Sequence, residues 1–250
     1  MTTIYTKDDF MHDVDERTIV VENYKRPLVL VAPHGYDDYN TSFFAKQLAK
    51  QLGCCAVINN GWQRSDTVNC TESLADCNKI SHCVKPVVKE EFLDLITKCI
   101  ANIERKILSL ATIIIIHGVS KNSISKNTDV ILGCGSKSRN SLSCTEDSKL
   151  ALLYSLNKFG NMSAKIANEK TRFAGKHKNN LNQYFNKNYY IGISSIQMEI
   201  NSRLRKPDAI AALSLPYFKE SLEKYCEILY DEIEMPDDWK SYTRAIPEHK

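Results

Sequence analysis

Two stretches of branched apolar residues, Leu28-Val-Leu-Val-Ala32 and Ile113-Ile-Ile-Ile116, run without polar alternation. A strand with one wet face alternates with period two. An unbroken run suits a strand covered on both faces, as in the middle of an α/β sheet. Such strands need helices above and below, and the periodicity elsewhere supplies them. Segment 41–52, with Asn40 as its cap and Gly53 just past its end, places Phe44, Leu48 and Leu52 on one face. Residues 89–110 repeat Phe92, Ile96, Cys99, Ile103 and Ile107 at helical steps. Further helices are expected near 145–158, around 161–169, and through Phe218, Leu222, Tyr225 and Leu229, with Pro216 near the first turn of the last. Strands are expected at 54–59, 129–133 and 190–200, the last with Ile196, Met198 and Ile200 opposite Ser195, Gln197 and Glu199. This alternation predicts a three-layer α/β/α sandwich with a mixed, mostly parallel central sheet. With no internal repeat or long linker, the 250 residues are expected to form a single domain, 1–250.

Charge and composition exclude several classes. A net charge of +3 with both signs mixed along the chain lacks the basic stripe that nucleic-acid binding needs. The first residues lack the basic-then-apolar layout of a secretion signal, and no apolar segment approaches the roughly 20 residues needed to cross a bilayer. A cytoplasmic protein with neither nucleic-acid nor membrane partners is expected; oligomeric state is not readable. The nine cysteines are read as reduced thiols. Cys70, Cys77, His82 and Cys83 lack the C-x2-C spacing of a zinc knuckle. The polar stretch 62–88 has the length and irregularity of a functional loop.

Each apolar run ends in a histidine followed by glycine, His34-Gly35 and His117-Gly118. Open α/β sheets place their ligands where such strands exit. His34, Asp37 and His117 would supply two imidazoles and a carboxylate, the donor set of a catalytic zinc site with one position left for water. One zinc ion held this way would bring the pKa of bound water from about 16 toward roughly 7. Glu199, on the polar side near the end of its strand, would then carry protons as general base. Plainer readings exist for each residue. A histidine after a strand is commonly a hydrogen-bonded structural group, Asp37-Asp38-Tyr-Asn suits a turn, and Glu199 has Arg203 and Arg205 nearby in sequence for an ion pair.

The ordered set His34-Gly-Tyr-Asp37, Asp76-Cys-Asn78-Lys79, His117-Gly118 and Gln197-Met-Glu199-Ile-Asn201 resembles the N-formylglutamate amidohydrolase family over roughly residues 27–205. More distantly it is similar to the aspartoacylase and succinylglutamate desuccinylase enzymes and the zinc carboxypeptidases. The resemblance implies a zinc-exopeptidase type of fold. It also implies cleavage of an amide C–N bond in a small, anionic N-acyl amino acid or peptide, with Asn78 and Lys79 holding the substrate carboxylate. Two departures stand out. Lysine replaces the family's arginine at Lys79 and cannot make its two-pronged grip. The family's upstream arginine is missing around Thr71, leaving Arg64 and the loop residue Arg172 as substitutes. Two alternatives remain open: a metallo-carboxypeptidase acting on peptides or γ-glutamyl chains, and a non-catalytic relative that binds an anion or a partner.

Overall fold

The computed structural model describes residues 5, 16–66, 69–188, 193–231 and 238–243. Seven strands form one mixed sheet: β1 (Thr18–Val21), β2 (Leu28–Ala32), β3 (Cys55–Asn59), β4 (Thr112–Val119), β5 (Val130–Gly133), β6 (Ala164–Ile166) and β7 (Ser194–Asn201). Their spatial order is β1-β3-β2-β4-β7-β5-β6. The four central strands β3, β2, β4 and β7 are mutually parallel, while β1 and β5 join them antiparallel. Both apolar runs therefore lie mid-sheet, every residue of β2 being buried.

The alternation hidden inside those runs sorts them between two cores. Leu28, Leu30, Ala32, Ile114 and Ile116 point to a layer formed by α1 (Thr41–Leu52), α3 (Glu146–Lys158) and α5 (Asp208–Tyr230). Val29, Val31, Ile113 and Ile115 point to the layer of α2 (Asp94–Ile107) and α4 (Leu181–Asn188). The expected three layers are present. Phe44 of α1 meets Phe218 of α5 edge-on, ring centroids 5.1 Å apart, a contact worth about 0.5–1.5 kcal/mol beyond the area it buries.

Several local expectations change. Residues 161–169 are not a helix: Asn161 takes φ 49° and Ala164–Ile166 pairs with β5 as the sheet edge. Pro216 lies inside α5 rather than in its first turn. It stands on the exposed side of that helix, with Leu213 and Tyr217, where water can satisfy the carbonyl that a proline leaves unbonded. Asn40 makes no side-chain cap on α1 and instead donates from Nδ2 to the Arg205 carbonyl at 2.8 Å. The long helix expected from residue 89 begins with a π-type turn at Lys89–Leu93. Strand β1 went unrecognised because four half-buried residues carry too short a pattern. Residues 190–192 of the expected strand 190–200, and most of the N-terminal segment, lie outside the described residues. Among the described residues, no helix is long and apolar enough to cross a membrane.

Candidate metal centre

Parallel strands deliver their carboxyl ends to one edge, so the segments after β2 and β3 and the ends of β4 and β7 converge there. The chain leaves β2 through Pro33 into a tight turn, in which the His34 carbonyl accepts from Asp38 N at 2.7 Å and from Asp37 N at 3.0 Å. Gly35 is required in that turn, since a Cβ would stand 2.4 Å from the Asn59 carbonyl oxygen. A one-turn spacing stacks His34 over Asp38. The structure thus brings Asp38, not Asp37, to the two histidines. Asp37 faces the other way, and its Oδ2 accepts the Arg64 backbone N–H at 2.7 Å.

His34, Asp38 and His117 form a compact, largely buried group with one donor atom each within 4.8 Å of the others. Asp38 Oδ2 lies 3.7 Å from Nδ1 of His34 and 3.7 Å from Nδ1 of His117. Zinc bonds of about 2.0–2.2 Å at tetrahedral angles would set neighbouring donors roughly 3.3–3.6 Å apart, so both imidazole–carboxylate separations are close to what the ion needs. Nε2 of His117, the ring nitrogen not engaged in that spacing, is buried without a hydrogen-bond partner among the described residues. Among the described residues this is the group able to hold a metal; Cys70, Cys77, His82 and Cys83 do not form one. The Cys83 thiol donates to the Cys77 carbonyl at 3.1 Å, and burial pushes its pKa up.

Beneath the site, Asp76 supports His34. Its Oδ1 lies 2.7 Å from His34 Nε2 and also accepts the Asn78 N–H at 3.0 Å. His82 Nδ1 accepts the Asp76 N–H at 3.0 Å. A carboxylate on the far imidazole nitrogen fixes the ring and directs the Nδ1 lone pair toward a metal. Burial alone would push the His34 pKa down, yet the carboxylates of Asp38 and Asp76 raise it to about 9. Burial likewise favours neutral Asp76, but the bond to His34, its charge, and the Asn78 N–H draw that carboxyl down to about 2. Burial also opposes ionisation of Asp38, and the two imidazoles reverse it, holding the carboxyl well below the usual range.

Glu199 pairs in register with His117 on the neighbouring strand, and both line the same cleft of about 290 Å³. Neither arginine in its vicinity neutralises it by an ion pair: Arg203 goes to Asp129 at 2.7 Å, and Arg205 spends its donors on backbone carbonyls. Instead Glu199 Oε1 accepts from Gln197 Nε2 at 2.6 Å, and Gln197 Oε1 accepts from Asn180 Nδ2 at 3.2 Å. Asn78, Arg64 and Arg172 also line the cleft. Lys79 does not. Its ammonium pairs with the exposed Asp66 at 2.5 Å and lies 3.7 Å from Asp76. The sequence reading did not single out Asp38, Gln197, Asn180, or the support role of Asp76. A usable signal existed for Asp38, whose four-residue step from His34 is one helical turn.

No protein-family model matches the chain, and no curated protein sequence matches it. Solved structures do. Its fold is similar to that of a metallo-carboxypeptidase. That structure, from Burkholderia cenocepacia, superposes with a TM-score of 0.51 at 10% identity over 85% of this chain and 65% of that one. A gene product of Agrobacterium tumefaciens gives a TM-score of 0.55 at 12% identity over 90% and 97%. A bacteriophage poly-γ-glutamate hydrolase gives 0.48 at 14% identity over 86% and 93%. At such identities the likeness is one of fold.

Proposed function

We propose that this chain is a zinc-dependent hydrolase of an amide C–N bond, acting on a small, anionic N-acyl amino acid of the N-formylglutamate type. The observation that carries the reading is the His34–Asp38–His117 group standing beside Glu199 in one cleft. When bound there, zinc supplies Lewis acidity that polarises a carbonyl and makes water nucleophilic near neutral pH. His34, Asp38 and His117 would hold it, with Asp76 keeping the His34 ring in the required orientation.

The remaining work falls to the chain's own groups. Glu199, on the adjacent strand and shielded from bulk water, accepts the proton of the attacking water and passes it to the departing nitrogen. Gln197 keeps the carboxylate aimed by donating to one of its oxygens, leaving the other to take the proton. Arg64 and Arg172 reach the cleft from separate loops and draw in the negative end of the substrate, assisted by Asn78. Lys79 has no such part in this arrangement, since it does not line the cleft.

Trimming of a carboxyl-terminal residue from a peptide or γ-glutamyl chain is the second reading, favoured by the fold likeness to a metallo-carboxypeptidase. The test is a zinc-loaded preparation offered N-formyl-L-glutamate, a γ-glutamyl dipeptide and an α-linked dipeptide, with amine release measured for wild type and Glu199→Gln. Amine release by wild type from the first substrate, lost in the variant, supports the proposal. Release from the dipeptides alone supports the second reading. A zinc-loaded protein inert on all three favours a ligand-binding relative.

A further inference from the structure

Arg205 follows β7 in the short turn Ser202–Arg205, and its side chain is almost wholly buried, at 4% exposure for the residue. A buried guanidinium is costly unless every donor finds an acceptor. Here the donors fan out to three separate segments. Nη1 donates to the carbonyl of Tyr39, the neighbour of Asp38. Nη2 donates to the carbonyl of Val119 at 3.4 Å, just beyond His117-Gly118. Nε donates to the carbonyl of Ile200 at 2.9 Å, the neighbour of Glu199.

Gly118 makes room for this fan. A Cβ there would fall 2.4 Å from the guanidinium carbon and 2.5 Å from Nη2, while its own N–H donates to Asp38 Oδ2 at 2.9 Å. From outside, Asn40 Nδ2 holds the Arg205 carbonyl. Burial disfavours the cation, and the nearby charges of Asp38 and Glu199 work against that penalty.

We infer that Arg205 is a positioning residue, whose guanidinium locks together the three backbone segments that present Asp38, His117 and Glu199. The inference rests on the metal-site reading above and adds to it the part that sets the spacing of the ligands. A lysine would bring the charge but could not serve three carbonyls in a fixed plane.

The test is titration of metal-stripped protein with Co²⁺ alone, reading the visible ligand-field absorption and the affinity by chelator competition, with circular dichroism at the same temperature to check folding. Arg205→Met is expected to weaken Co²⁺ binding by about 10–100-fold, the cost typical of lost ligand support, and to weaken the four-coordinate absorption. Arg205→Lys should not restore either. If Arg205→Met does not fold, Gly118→Ala provides the second route, since its methyl group displaces the guanidinium without removing the charge, and the same loss is expected. Unchanged affinity and spectrum in the folded variants, even with a lowered melting temperature, overturn the inference and leave the metal-site reading standing, as does full recovery in Arg205→Lys. Wild-type protein that takes up neither Co²⁺ nor Zn²⁺ overturns both.

Discussion

The two faces of the β4–β7 pair share a register but not a chemistry. One face carries Ile114 and Ile116 beside Ile196, Met198 and Ile200, all fully buried in one core. On the other, Ile113 is level with Ser195, Ile115 with Gln197, and His117 with Glu199. Packing on the first face asks for volume and shape. The second runs from Ile113 and Ser195 to His117 and Glu199 along the strand direction, so its ionisable groups collect at the carboxyl end, where a buried polar group generally needs a partner. Gln197 finds both Glu199 and Asn180, while Nε2 of His117 finds no partner among the described residues. Stability and chemistry are therefore separable on the same strands, and substitutions on either face probe that division.

The largest effect is expected at the ligands. Asp38→Ala or His117→Ala should abolish zinc uptake measured by elemental analysis, whereas Asp37→Ala should retain it; the opposite order for the two aspartates would undo the site as described. Glu199→Gln should keep its zinc and lose about 10²–10⁴-fold in kcat, and parallel loss of zinc would turn that residue from a proton carrier into a ligand. On the apolar face, Ile116→Ala should cost about 2–5 kcal/mol in urea unfolding with metal stoichiometry unchanged, and a metal defect in the folded variant would break the separation of the faces. Gln197→Met should lower kcat by roughly tenfold, about 1.4 kcal/mol, at constant KM.

A separate effect concerns pH and the metal-free protein. His34 has its pKa raised from 6.5 to about 9, so its protonated form favours the fold: that contribution is complete below 6.5 and is lost as pH rises through about 9. Asp76 is drawn from 3.8 to about 2, so its contribution is complete above 3.8 and is lost as pH falls through about 2. Thermal melts of metal-free protein should therefore decline as pH rises from 6.5 through about 9, and zinc, by taking the place of the His34 proton, should remove that decline. A flat profile without metal would mean that His34 is not held between two carboxylates.

The sheet was readable because its central strands are built from residues that tolerate nothing else. Four consecutive isoleucines cannot alternate with water, and α2 shows its buried face in every turn. What escaped was decided by contacts distant in sequence. β6 is three residues long and exists because β5 lies beside it. The choice between Asp37 and Asp38 depends on a turn in which the His34 carbonyl accepts both of their N–H groups, and on a backbone N–H at Arg64 that claims the Asp37 carboxylate. Lys79 resembled a substrate contact in its motif, but Asp66, remote in the motif and near in space, takes its charge. Strand-end histidines announce themselves in a sequence; hydrogen-bond partners drawn from other loops do not.

The cleft's cationic residues stand on a different footing from the His34–Asp38–His117 group. His34 and Asp38 belong to a tight turn and His117 to a strand, whereas Arg64 lies in the long segment after β3 and Arg172 beyond β6. Rebuilding the Arg172 segment would change the cationic lining of the cleft and leave Asp76 on His34, whereas the Arg64 segment also carries Asp76 and its exchange would reach the His34 support. Of the two cationic groups, the one at Arg172 is therefore the freer to vary, and a designer wishing to change what the cleft attracts would begin there.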